Sequence, residues 1–174
     1  ESDRARISRE LHDTVAQSMR YVSLLAEKIS DTELALKKAK ELDASKITLV
    51  GGSGGRLDHF LGILELYKQD FAPDLWLTEE NAVYLLDATK NSKLSFNNFS
   101  LNEPVSIFPV FLHSSTDRKY CCRSKGLKWQ LDNLDWNAGT VSLSNRRAEN
   151  ESTIELFAEC GRFIVIVPIE KFLS

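Results

Sequence analysis

Four of the five residues from Gly51 to Gly55 (GGSGG) are glycine, and they separate two segments of opposite character. Before them, residues 46–50 (KITLV) read as a short buried strand. After them, Phe60, Leu61, Leu64 and Tyr67 recur at helical spacing. A strand that enters a helix through a glycine-rich turn is an α/β unit, and a preceding helix fits a parallel sheet. Glycines let backbone N–H groups approach an anion, and the helix that follows adds its positive dipole end. Arg56 offers a fork for phosphate oxygens, and Asp58 and His59 fall on the first helical turn. The loop lacks the Lys-Ser/Thr ending of a Walker A motif and the GxGxxG spacing of a dinucleotide fold. From the residues alone it is either an anion cradle or a tight connection with Arg56 and Asp58 as a solvated pair.

The chain changes character on either side of this unit. Ser30 with Glu33 three residues later is a capping-box pattern and predicts a helix from Asp31 to about Leu42. Residues 82–87 are a further candidate strand. From about Leu94 the texture is all-β. Short runs (VSIFPVF, KYCC, TVSLS, TIELFA, RFIVIV) are separated by Asn, Asp, Ser and Gly, as in a small sandwich or barrel. The expected class is α/β plus all-β. A partial α/β, Rossmann-like lobe over 30–90 precedes a β-sandwich or barrel over 91–174, and an amphipathic helix over 1–29 leads in.

In 174 residues, 43% apolar and 27% charged with a net charge of -3, there is enough material for a core. Nothing in that balance makes a basic footprint for nucleic acid or a membrane surface. Apolar runs such as 163–167 are too short to span a bilayer. The three cysteines (Cys121, Cys122, Cys160) have no zinc spacing and read as reduced structural thiols. With no signal-peptide pattern, the expected compartment is the cytoplasm.

Several segments resemble one enzyme family in order. Ser30-Asp31-Thr32-Glu33-Leu34-Ala35-Leu36 is similar to the TDTELAL helix start of thiamine pyrophosphokinases, and TLVGGSGGRLDHFLGIL to their GATGGRLDHTLANI signature. Gly126-Leu127-Lys128-Trp129 resembles the family's GLKW motif, and Ser142-Leu143-Ser144-Asn145 its S-x-SN motif. The resemblance implies transfer of a pyrophosphoryl group from ATP to thiamine, giving thiamine diphosphate and AMP, with Mg²⁺ and a homodimer carrying thiamine near the subunit interface. It implies Asp31 and Asp58 as catalytic carboxylates, Asp31 also at the metal. Arg56, His59, Gly54 and Gly55 would meet ATP, and Trp129, Ser144 and Asn145 thiamine. Trp129 suits a cationic heteroaromatic ring by cation–π contact. The family's ADGG-like and GDFDS-like motifs do not occur before Ser30. Bland alternatives stand beside these roles: a helix N-terminal acid for Asp31, a surface or core histidine for His59, a cap on the β core for Trp129, turn formers for Ser144 and Asn145.

Residues 1–29 carry a stripe of Ile7, Leu11, Val15, Met19, Val22, Leu25, Ala26 and Ile29. Their RELHDTVAQ box resembles the dimerisation and phosphoacceptor helix of histidine kinases. That resemblance implies His12 as phosphoacceptor, with Asp13 and Gln17 in DxxxQ spacing. At about 100° per residue His12 lies near the edge of the stripe. The second reading of the chain is therefore a non-catalytic two-component module joined to a thiamine-binding β domain.

Overall fold

The computed structural model describes residues 21–25, 29–54, 56–112 and 119–173. Among these residues ten strands form two sheets: β1 (Tyr21–Leu25), β2 (Lys46–Val50), β3 (Leu75–Leu77), β4 (Asn81–Asp87), β5 (Lys93–Asn97), β6 (Val105–Pro109), β7 (Cys121–Lys125), β8 (Ser142–Asn145), β9 (Thr153–Cys160) and β10 (Arg162–Pro168). The helices are α1 (Ile29–Glu41), α2 (Leu57–Leu66) and a final turn α3 (Glu170–Leu173). The larger sheet is mixed and runs β1-β2-β3-β4-β10-β6-β8; the smaller runs β5-β9-β7.

Strands β1, β2 and β3 are mutually parallel, joined through α1 and α2, and every later pairing is antiparallel. The change of direction falls where β3 and β4 meet through the short turn at Thr78, whose hydroxyl accepts from the Asn81 N–H at 2.8 Å. The sheet runs through the boundary expected at residues 90 and 91, because β4 pairs with β10 along seven residues.

One departure concerns residues 1–29. The apolar periodicity predicts helix through Ile29, yet Tyr21–Leu25 pair with Lys46–Val50 as a parallel strand. Tyr-Val-Ser-Leu-Leu is rich in residues that suit a pleated surface, and sheet pairing overrides the helical period there. A second departure is β3, three residues long and hidden between Pro73-Asp74 and Thr78.

Strand alternation builds two cores from one sheet. On β10, Phe163, Val165 and Val167 face the smaller sheet and meet Phe96, Ile154, Leu156 and Trp136. Ile164 turns to the opposite face, under α2, with Leu49, Ile63, Tyr67 and Trp76. Leu36 and Ala39 of α1 close a third cluster with Ile47, Leu66 and Phe71. Arg162 fastens α2 to this frame. Its Nε donates to Asp87 at 2.7 Å, and its Nη1 donates to the carbonyls of Tyr67 and Gln69 at 2.8 and 2.6 Å. A guanidinium at a helix C-terminus satisfies carbonyls that the helix leaves free.

Candidate functional site

The candidate residues fall into two groups at different places on the larger sheet. The first sits at the carboxyl edge of the parallel strands, where open α/β sheets bind ligands. Leu25 of β1 pairs with Val50 of β2, and Val50 with Leu77 of β3, so all three strands end level. Helices α1 and α2 both begin at this edge, four and seven residues after their strands end. Asp31 is exposed on the first turn of α1.

In the glycine loop, Gly51 and Gly52 take φ of 83° and 76°, the left-handed region where glycine has no steric cost. Gly51 is held on both sides: its N–H donates to Leu77 O at 2.8 Å, and its carbonyl accepts from Trp76 Nε1 at 2.6 Å. The sequence gives no hint of this use of Trp76, since a buried tryptophan reads as core. Gly54 is exposed, and an added Cβ would meet nothing within 4 Å. Arg56 is the N-cap residue of α2, and its side chain makes no capping bond. It reaches instead to Asp58 with a fork, Nε to Oδ1 at 3.0 Å and Nη2 to Oδ2 at 2.5 Å. Both side chains are well exposed, 71% and 61%. The fork's hydrogen bond holds the Asp58 carboxyl below the usual carboxylate range and raises Arg56. His59 is half-buried on the same turn. Leu57 and Leu61, one turn apart, are exposed beside it.

The second group is built differently. Lys128 N–H donates to Arg146 O at 2.7 Å and Ala148 N–H to Gly126 O at 2.8 Å, so the 126–129 segment lies against 145–148. Gly126 takes φ of 77°, and a Cβ there would come within 2.0 Å of the Thr153 carbonyl oxygen. Asn145 is buried and clasps Trp129. Its Oδ1 accepts from the N–H groups of Trp129 (3.2 Å) and Arg146 (2.8 Å). Its Nδ2 donates to Trp129 O (2.7 Å) and Ser142 Oγ (3.2 Å). Two donors and two acceptor sites are all that an amide side chain has. Asn145 therefore spends its full capacity on holding the Trp129 backbone. The Trp129 side chain remains 55% exposed, with Lys128 Nζ 5.1 Å from its ring centroid. It does not cap the β core; Trp136, fully buried against Phe163, fills that position. Ser144 is exposed at φ 50°, and its N–H donates to Ser106 Oγ at 3.0 Å.

The structure brings Arg56 and Asp58 together, and Trp129 with Asn145, but separates the two groups. From β2 to β8 the sheet order counts five strand steps, which at strand spacing is about 24 Å. An open depression lined by Ser124, Lys125, Gln130 and Glu155 on the smaller sheet contains none of the candidate residues. Among the described residues no group of three or more His, Cys, Asp or Glu gathers to hold a metal. With Asp58 turned onto Arg56, the described residues of this edge do not assemble the oxygen donors that a resident Mg²⁺ needs. Gly55 and His12 lie outside the described residues. Among those described, no helix is long and apolar enough to cross a membrane.

Comparison with solved structures matches this architecture. The chain aligns with a protein from Lactobacillus plantarum at TM-score 0.59 and 19% identity, over 94% of this chain and 73% of that one. It aligns equally with a thiamin pyrophosphokinase family protein from Enterococcus faecalis, TM-score 0.59 and 19% identity, covering 92% and 73%. The thiamine pyrophosphokinase of Bacillus subtilis gives TM-score 0.59 and 20% identity, covering 93% and 72%. The fold is that of the thiamin pyrophosphokinases. Within that fold, the ordered motifs of the sequence lie at the sheet edge after β2 and beside β8. The histidine kinase family model matches residues 3–47. The later part of that span is β1, α1 and the start of β2, built into the larger sheet. No curated protein sequence matches the chain.

Proposed function

We propose that the chain is a thiamin pyrophosphokinase that transfers pyrophosphate from ATP to the hydroxyethyl oxygen of thiamine, releasing AMP. The observation that carries this reading is the exposed Trp129 ring held in place by a fully committed, buried Asn145. A flat, electron-rich face that is fixed before a ligand arrives suits a cationic heteroaromatic ring.

The triphosphate docks at the edge after β2, in a Rossmann-like lobe. Loop N–H groups and the start of α2 face its oxygens, and the Arg56 fork exchanges Asp58 for phosphate. The ion that accompanies the nucleotide enters with the substrate. Thiamine oxygen attacks the β-phosphorus and the bond to the α-phosphate oxygen breaks, leaving AMP. Asp58, held ionised by Arg56 before the nucleotide arrives, is released by the exchange as a free carboxylate at this edge. Asp31 is a second carboxylate at this edge, proposed at the metal that the nucleotide brings, with His59 beside the nucleotide. About 24 Å between the two groups exceeds the reach of one small substrate, so the working site pairs the loop edge of one copy with Trp129 of another in a homodimer.

Trp76 and Trp136 are fully buried, so thiamine quenching of tryptophan fluorescence reports on Trp129. The reading predicts saturable quenching, lost in Trp129→Leu, together with thiamine-dependent AMP release from MgATP. Absence of both contradicts it.

A second reading is favoured by the family match over residues 3–47. In it His12 accepts a phosphoryl group. Treatment with phosphoramidate should then leave an acid-labile phosphate on the peptide that contains His12, absent in His12→Gln; labelling confined to His59 or His113 rules it out.

A further inference from the structure

Cys121 and Cys160 are direct partners across the β7–β9 pair. The register shifts between Cys121 and Cys122, which leaves Glu159 as the extra residue on β9. Such a bulge sets two residues of one strand opposite one of its neighbour. Cys121 Sγ donates to Glu159 Oε2 at 3.3 Å, which draws its side chain to the outer face of the smaller sheet. The next residue, Cys122, points the other way and is buried in the inter-sheet core. Cys160 is exposed. Directly opposed residues of an antiparallel pair have Cα atoms about 4.5–5.5 Å apart, inside the span of about 4.4–6.8 Å that a disulfide bridges without backbone movement.

We propose that Cys121 and Cys160 are a redox-active pair that closes into a cross-strand disulfide by exchange with a low-molecular-weight disulfide. The exposed Cys160 thiolate, its proton lost to solvent, attacks one sulfur of the donor. A mixed disulfide forms and the first donor thiolate leaves. Cys121 Sγ then attacks Cys160 Sγ, forming the protein disulfide and expelling the second donor thiolate. Two electrons pass to the donor, whose two halves leave as thiols. The Cys121 proton goes to the Glu159 carboxylate that its S–H already faces. Burial, and then the bond to Glu159, push the Cys121 thiol up, which suits a resolving rather than an attacking sulfur. Burial pushes Cys122 up to about 12, so it remains a thiol.

The closed loop would run from 121 to 160 and contain Trp129, Ser142 and Asn145. Oxidation therefore ties together the two ends of the segment that carries the exposed indole. Tyr120 strengthens the same corner: its ring lies against Gly161, where a Cβ would come within 2.5 Å of it. Its hydroxyl donates to Val110 O at 3.0 Å, fastening the corner to the larger sheet.

The test uses the reduced, folded full chain equilibrated with oxidised glutathione, then blocked with iodoacetamide and digested with trypsin. Cleavage after Lys119, Arg123, Arg147 and Arg162 yields peptide 120–123 linked to peptide 148–162. Fragmentation of that linked pair places the bond on Cys121. The link is expected to persist in Cys122→Ala and to vanish in Cys121→Ser, where glutathione stays on Cys160. A bond localised to Cys122, a stable glutathione adduct on Cys160 of the unsubstituted chain, or no reaction would overturn the proposal. Because the unsubstituted chain alone decides the bond's position, poor folding of a variant does not blunt the test.

Discussion

The loop edge after β2 and the clasp beside β8 use opposite means to present functional groups. At the loop edge, backbone is fixed by Trp76 and Leu77 while the Arg56 and Asp58 side chains hold each other in an exposed pair. An exposed ion pair adds little to stability and exchanges partners readily. At the clasp, the presented ring is exposed but the buried Asn145 beneath it commits all its hydrogen bonds to the 126–129 and 142–146 segments. The first arrangement suits a ligand that brings its own charges and displaces a counter-ion. The second suits a ligand recognised by shape and ring face, where any looseness would cost affinity. Substitutions should therefore separate the two regions: stability falls at the clasp and its supports, binding alone at the loop edge.

The largest effect is expected at the support beneath α2. Arg162→Met strips the buried Asp87 of its cation, the pair being only 14% and 7% exposed, and frees the Tyr67 and Gln69 carbonyls just past α2. A loss of about 3–5 kcal/mol in urea unfolding is predicted; a loss under about 1 kcal/mol would mean that α2 docks without it. Next, Asn145→Ala leaves the partly buried N–H groups of Trp129 and Arg146 and the Trp129 carbonyl without their partner. It should cost about 2–3 kcal/mol and weaken thiamine quenching together with stability. Quenching unchanged after Asn145→Ala would break the link between clasp and ring.

A pH titration sharpens the picture. Burial alone would raise the Asp87 carboxyl, but Thr89 and Arg162 outweigh it and hold it below its ordinary value. A carboxyl depressed by folding contributes its stability above the unfolded pKa. That contribution is lost as pH falls from about 4 through the lower folded value. Asp87→Asn should flatten this acid limb, seen as a melting temperature that varies less with pH. At the small end, Arg56→Ala should leave the melting temperature unchanged while weakening triphosphate binding about tenfold. A clear fall in melting temperature would show that the loop edge is a structural device after all.

Much of the fold was legible because strong local signals agreed. KITLV is β2 residue for residue, the Ser30–Glu33 capping pattern marks the start of α1 within two residues, and the TIELFA and RFIVIV runs lie within β9 and β10. What failed depended on partners distant in sequence. Tyr21–Leu25 carries a helical period and becomes a strand because β2 offers it an edge. Leu75–Leu77 is too short for any periodicity. At the candidate site, a glycine loop and an Arg-x-Asp spacing announce themselves, and so does the GLKW segment. The Asn145 clasp does not, because Ser-Asn reads as a turn until 126–129 is laid against 145–148. The Cys121–Cys160 pairing was hidden in the same way: the adjacent pair in sequence is Cys121 and Cys122, and only the β7–β9 register shows which sulfurs share a face.

The most direct measurement mixes two variants, Arg56→Ala and Trp129→Ala, and follows thiamine-dependent AMP release. With ATP held below saturation, each variant alone should release AMP at about a tenth of the unsubstituted rate or less, and the mixture should rise well above the mean of the two, because a mixed dimer has one site with both an intact loop edge and an intact Trp129. A mixture that shows only the mean of the two variants, beside an active unsubstituted chain, would contradict a site shared between copies.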